Sequence, residues 1–227
     1  MLVLFDIDGT LLLSRGASMQ CFRAAGRELF AREFETGGTN FSGGLDPLIW
    51  RALCERNGVP DPETHHAAFR ATYGRLLAAR LAEGGVAYAL PGVTALLDAL
   101  SQIESRVTVG LLTGNYPETG CLKLAAAGLD VERFSVAAWG TDGGHRRDLL
   151  PVALARHAVR TGRRLPAERV VIVGDTPHDV DCAAAHGARS LAVATGMAKV
   201  PELQAAGATL ALPDLSETAR VLDWILG

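Results

Sequence analysis

Long hydrophobic runs are missing from this sequence. No stretch approaches the ~20 consecutive apolar residues that a membrane-spanning helix needs, although 48% of the 227 residues are hydrophobic. The N-terminus has no basic region, and Asp6 and Asp8 interrupt the opening apolar run, so no secretory leader is expected. Cysteine is sparse and scattered. Cys21, Cys54, Cys121 and Cys182 form no CxxC pair and no zinc-ligand spacing, which points to free thiols in a reducing cytoplasm. An excess of one charge is absent too, with 22 basic against 25 acidic residues. The only tight basic runs, His145-Arg146-Arg147 and Arg163-Arg164, are too short for a nucleic-acid surface. What remains is a chain long enough for one large domain, or for one domain plus an insert.

Short runs rich in Val, Leu and Ile do recur: 2–5, 107–112, 134–138, 170–173 and 190–194. Each is followed by a Gly, Asp or Thr turn and then a helical pattern. That alternation predicts a parallel α/β sheet. Pro117 and Pro177 stand at helix starts and Gly128, Gly162 and Gly187 at helix ends, the expected asymmetry. Residues 14–88 read differently. They carry helical patterns over 17–35, 47–57 and 62–83 and no convincing strand, with Asp46-Pro47 and Asp61-Pro62 as helix starts and Gly58 as a stop. The expectation is an all-helical insert (14–88) in an α/β core (1–13 and 89–227), hinged at Leu13–Gly16 and Gly84–Pro91.

Ligand sites in such sheets lie at the carboxyl ends of the strands. The first strand ends in Asp6-Ile7-Asp8-Gly9-Thr10, the second in Thr113-Gly114-Asn115, and the fourth in Gly174-Asp175-Thr176-Pro177-His178-Asp179. Between the third and fourth lies Gly143-Gly144-His145-Arg146-Arg147. Two carboxylates two positions apart repel each other and are costly to desolvate, so they need a cation or a proton. Asp6, Asp8 and Asp175 offer the oxygen ligands that magnesium takes, and the metal would compensate the clustered charge. Thr113 and the amides of Gly114 and Asn115 can donate to phosphate oxygens at a helix start. An arginine can neutralise a transferring phosphoryl group. One carboxylate can be a nucleophile and the other a proton donor and acceptor.

The four segments together resemble the four motifs of the haloacid dehalogenase superfamily, in order and over essentially the whole chain. The helical insert resembles that superfamily's C1 cap. The resemblance implies a Rossmann-like core and a magnesium-dependent phosphatase of the phosphoglycolate phosphatase-like kind, acting on a small phosphorylated metabolite. It implies Asp6 as nucleophile, Asp8 as general acid and base, and magnesium on the Asp6 carboxylate, the Asp8 backbone carbonyl and Asp175. Thr113 and Arg146 would bind the phosphoryl group, with Arg147 as the alternative, because this chain has arginine where most relatives carry lysine. A β-phosphoglucomutase keeps the acid two residues after the nucleophile and is the second reading. Dehalogenases and phosphonatases lack that acid. A third reading is a non-catalytic phospho-ligand or partner-binding module, whose expected sign is loss of Asp6, Asp8 or Asp175, all of which are present.

Several residues carry a plainer interpretation beside the functional one. Asp179 has capping-box spacing from Thr176 and is balanced between helix cap and metal surroundings. Gly43, Gly44 and Asp46 form either a capped turn or a specificity loop facing the site. Arg15 is a hinge residue or a substrate contact. Tyr116 and Asn115 are expected to face the cap. His178, His65, His66 and Lys123 are expected on solvated faces. The chain is expected to be cytoplasmic, a monomer or homodimer, with neither nucleic acid nor membrane as partner.

Overall fold

A computed structural model describes every residue of the chain except Asn40. In chain order the strands are β1 (Leu2–Phe5), β2 (Leu12–Leu13), β3 (Tyr88–Ala89), β4 (Thr108–Leu112), β5 (Val136–Ala138), β6 (Val170–Gly174), β7 (Arg189–Val193) and β8 (Leu210–Leu212). The helices are α1 (Ala17–Phe30), α2 (Asp46–Arg56), α3 (Pro62–Ala82), α4 (Val93–Ser101), α5 (Pro117–Ala126), α6 (Leu149–Thr161), α7 (Pro177–Ala185), α8 (Val200–Ala205) and α9 (Thr218–Leu226).

β1 lies inside a six-stranded sheet of order β5-β4-β1-β6-β7-β8. All its ladders are parallel, with Leu4 opposite Gly110 on one side and Ile172 on the other. A strand covered on both faces reads as a continuous apolar run, which is why LVLF has no polar alternation. Val3 and Phe5 pack with Leu96, Leu124 and Val221 from α4, α5 and α9. Leu2 and Leu4 pack with Leu149, Ala153 and Cys182 from α6 and α7. The α/β expectation holds. Strand β8 was not foreseen: it has three residues at the sheet edge, too few to show a period.

The segment between β2 and β3 is helical. Its core is an aromatic stack, with Trp50 and Phe69 ring centroids 4.1 Å apart and Phe22 and Tyr73 4.4 Å apart. Such pairs add about 0.5–1.5 kcal/mol each beyond their area. Helix α1 stops at Phe30 rather than at 35. Ala31 takes a left-handed conformation, and Phe34 turns in to stack on Phe30 and Trp50. The two linkers expected as hinges pair with each other: Leu12 and Leu13 lie antiparallel to Ala89 and Tyr88. Among the described residues no helix is long and apolar enough to cross a membrane, and the four cysteines are free.

Candidate active site

β1 delivers Asp6 at its carboxyl end, where the Asp6 amide donates to the Val173 carbonyl at 2.9 Å. The chain then turns tightly, with the Leu11 and Leu12 amides donating to the Ile7 carbonyl. Gly9 is required in that turn. Its φ is +79°, and a Cβ there would fall 2.4 Å from Asp175 Oδ2. β6 delivers Asp175, which accepts from the Thr10 hydroxyl at 3.1 Å.

Carboxylate oxygens of Asp6, Asp175 and Asp179 lie within 4.8 Å of one another, and all three residues are buried. Burial pushes the Asp6 carboxyl up to about 6; the Arg146 charge opposes this, while Asp179 adds to it. Burial pushes Asp175 up to about 8, helped by the charges of Asp179 and Asp6. Three crowded carboxylates with no nitrogen or sulfur ligand among them suit a hard divalent cation such as magnesium.

Arg146 and Arg147 separate cleanly. Both lie on a 3₁₀ turn, Arg146–Asp148, that enters α6. Asp148 anchors the turn by accepting from the Gly144 and His145 amides, and His145 Nδ1 accepts from the Arg147 amide. That points Arg146 inward. It is 4% exposed, 3.2 Å from Asp6 Oδ1 and 2.5 Å from Asp179 Oδ1. Burial alone would lower its pKa, but Asp179 and Asp6 raise it, so it is a fixed cation. Arg147 points outward and pairs with Asp181.

Asp179 fills the helix-cap role and faces the acidic cluster at the same time. Its Oδ2 accepts from the Thr176 amide and hydroxyl, and its Oδ1 from Arg146. It therefore backs Arg146. His178 is exposed, as expected.

Thr113, Gly114 and Asn115 follow β4 at the start of α5. Asn115 turns toward Asp8 rather than toward the cap, its Nδ2 donating to Asp8 Oδ2 and to Thr113 Oγ1, each at 2.9 Å. Tyr116 does face the cap, joining the aromatic stack with its hydroxyl 2.8 Å from His66 Nε2. His66 is thus half-buried, not a free surface residue, and its neighbour His65 sits edge-on to Phe30.

The largest departure is Lys123, expected on a solvated face. It is 1% exposed, with Nζ 2.6 Å from Asp8 Oδ2 and 2.5 Å from Asn115 Oδ1. It is one of only two lysines in the chain. A lone cation between Leu122 and Leu124, two helical turns after Asn115, was the available signal.

Asp46 is not the cap of α2. Leu45 holds that position and Asp46 lies in the first turn. It is buried against the motif after β4: its amide donates to the Gly114 carbonyl at 2.7 Å, and its Oδ2 accepts from the Tyr116 amide at 2.9 Å. Burial pushes it up to about 7, eased by Lys123 and the Tyr116 amide. A Cβ on Gly114 would fall 1.9 Å from the Gly44 carbonyl oxygen, so the two loops touch backbone to backbone. Gly43, Gly44, Asp46 and Arg15 line the same cavity as Asp6 and Asp8. Asn40, which opens that cap stretch, lies outside the described residues.

A sequence profile of the haloacid dehalogenase-like hydrolases matches residues 3–184. The tyrosine-protein kinase PtkA of Mycobacterium tuberculosis is 33% identical over 198 residues. The match takes in 86% of this chain but only 62% of that protein's length. CbbY from Rhodobacter sphaeroides, solved in complex with phosphate, superposes with a TM-score of 0.73 at 21% identity, over 95% of both chains. A predicted phosphoglycolate phosphatase from Haemophilus somnus gives 0.69 at 18% identity, over 97% of both.

Proposed function

The chain belongs to the haloacid dehalogenase-like hydrolase family, and from that premise we propose that it hydrolyses a small phosphomonoester through an aspartyl-phosphate on Asp6. One observation carries this reading: Asp6 stands at the carboxyl end of a central strand, bordering the cavity, with a buried arginine 3.2 Å away and a second carboxylate two residues on.

In the first step an Asp6 oxygen attacks phosphorus and the bond to the leaving oxygen breaks. Asp8 gives that oxygen its proton, and the alcohol departs. In the second step water attacks the phosphorus of aspartyl-phosphate. Asp8 takes the water's proton, the Asp6–phosphorus bond breaks, and orthophosphate leaves. Arg146 would balance the charge of the phosphoryl oxygens, and Thr113 with the amides of Gly114 and Asn115 would donate hydrogen bonds to them. Lys123 balances Asp8 whenever Asp8 has given up its proton. Magnesium would be held by the Asp6 and Asp175 carboxylates with the Asp8 backbone carbonyl, and when bound it would lower the repulsion between nucleophile and anionic ester. The helical segment would exclude water from the first step.

The test is phosphate release from a panel of phosphomonoesters, with magnesium and with EDTA, for wild type and Asp6→Asn. Release confined to wild type with magnesium is expected. Equal release by Asp6→Asn would overturn the mechanism. A mutase would move the phosphoryl group between sugar hydroxyls and release no orthophosphate, so the panel separates that reading. The kinship to PtkA favours one more: transfer from a nucleoside triphosphate to a tyrosyl hydroxyl. Labelled ATP with a tyrosine peptide tests it.

A further inference from the structure

The cavity over Asp6 and Asp8 measures about 460 Å³. Its floor is charged; above the floor the charged side chains are Arg15 and Asp46, and the large side chains are otherwise apolar. Leu13, Met19, Phe22, Phe41, Ile49 and Met197 surround it, drawn from the first linker, α1, the loop before α2, α2 itself and the loop after β7. Met19 and Phe22 are three apart on α1 and share a face. Met197 is 82% exposed and Met19 40% exposed. Two adaptable thioethers thus stand bare on the rim of one apolar chamber, where a bound apolar group would cover them.

The polar groups above the floor are Ser14, Arg15, Ser18, Ser42, Asp46 and Thr195, mostly short side chains. Asp46 accepts from the Tyr116 amide and Thr195 donates to the Gly9 carbonyl, while the Ser18 hydroxyl oxygen is itself shut off from solvent with no hydrogen-bond partner among the described residues. Arg15, the cation that the helical segment contributes to the lining, lies over the Tyr88 ring at 5.3 Å. A sugar buried here would bring several hydroxyls, each needing a partner or costing roughly 1–3 kcal/mol. An apolar body gains about 0.8 kcal/mol for each buried methylene.

We propose that this chamber selects phosphomonoesters of compact apolar alcohols, alkyl or aryl, over phosphates of polyhydroxylated sugars. The inference rests on the phosphatase reading of the same floor and adds the class of leaving group.

The experiment compares n-hexyl phosphate with glucose 6-phosphate, two primary alkyl esters with similar leaving oxygens. Acetyl phosphate, too small to reach the walls, reports on the floor alone. Calorimetry with n-hexylphosphonate, which is not hydrolysed, reports on the walls without turnover. The expected result is a kcat/KM for hexyl phosphate at least about tenfold above glucose 6-phosphate. The double variant Met19→Ser/Met197→Ser changes only exposed residues. It should raise KM for hexyl phosphate more than for acetyl phosphate, and weaken hexylphosphonate. Equal or better use of glucose 6-phosphate, while acetyl phosphate is hydrolysed, would overturn the chamber and leave the phosphatase standing. No hydrolysis of acetyl phosphate would count against the phosphatase. Hexylphosphonate affinity would then decide the chamber: binding weakened by the double variant supports it, and no binding overturns it.

Discussion

Lys123 Nζ lies 2.6 Å from Asp8 Oδ2, although 115 residues separate the two in the chain. The acid proposed to move protons is therefore held between a buried ammonium and the Asn115 amide. Its carboxylate is 40% exposed toward the cavity while the lysine is almost fully enclosed. The pair is an electrostatic element of the site, not a surface bridge.

Lys123→Met keeps the stem and deletes the charge. Turnover should fall by ~10–100-fold, mainly in kcat, because the charge that balances ionised Asp8 is gone. Steady-state kinetics with a thermal melt would check it. A normal kcat in a folded variant would show that Asp8 works without a paired cation.

Arg146→Ala and Arg147→Ala should separate by a wide margin. Removing Arg146 leaves Asp6 and Asp179 buried without their cation, so activity should drop by ~10²-fold or more and the melting temperature should fall. Removing Arg147 deletes a half-exposed, solvent-screened pair with Asp181 and should leave both activity and melting temperature close to wild type. The reverse ranking in activity would move the phosphoryl-binding role outward.

Asp175 is raised from 3.8 to about 8 by burial and by its acidic neighbours. The folded state therefore holds a proton that the unfolded state releases. Without a divalent cation, stability from this group is greatest below 3.8 and is lost as pH rises toward 8. A bound divalent cation requires the ionised form, so magnesium should raise the melting temperature more at pH 8 than at pH 5.5. Equal shifts at the two pH values, measured by calorimetry, would argue against carboxylate ligation.

Asp46 is raised from 3.8 to about 7 by burial, so its contribution also declines as pH rises through that window. Asp46→Asn keeps an acceptor for the Tyr116 amide and removes the charge. It should flatten the pH dependence of stability between pH 5 and 8, whereas Asp46→Ala should also lose the hydrogen bond and ~1 kcal/mol with it. Urea melts across that range would show the difference. An unchanged slope in Asp46→Asn would mean that Lys123 already neutralises the group.

The sequence by itself determined the strands of the core that have enough residues to show a pattern, the Pro-first and Gly-last helix ends, and the turn after β1. These are set by local backbone chemistry, legible in LVLF, in Pro117 and Gly128, and in Gly9. It also placed the acids and Thr113 at strand ends, because a parallel sheet sends its strand ends to one rim. Only the tertiary structure decided which side chains meet there. Arg146 and Arg147 are adjacent and alike, and a single anchored turn sends one to Asp6 and the other to Asp181. Lys123 reads as an ordinary helical charge until α5 packs beside β1. Asp46 reads as a cap until the loop ahead of α2 closes on Gly114. Such contacts depend on how whole elements dock, and docking is fixed by the summed packing of both sheet faces and of the aromatic stack, which no short stretch of sequence contains.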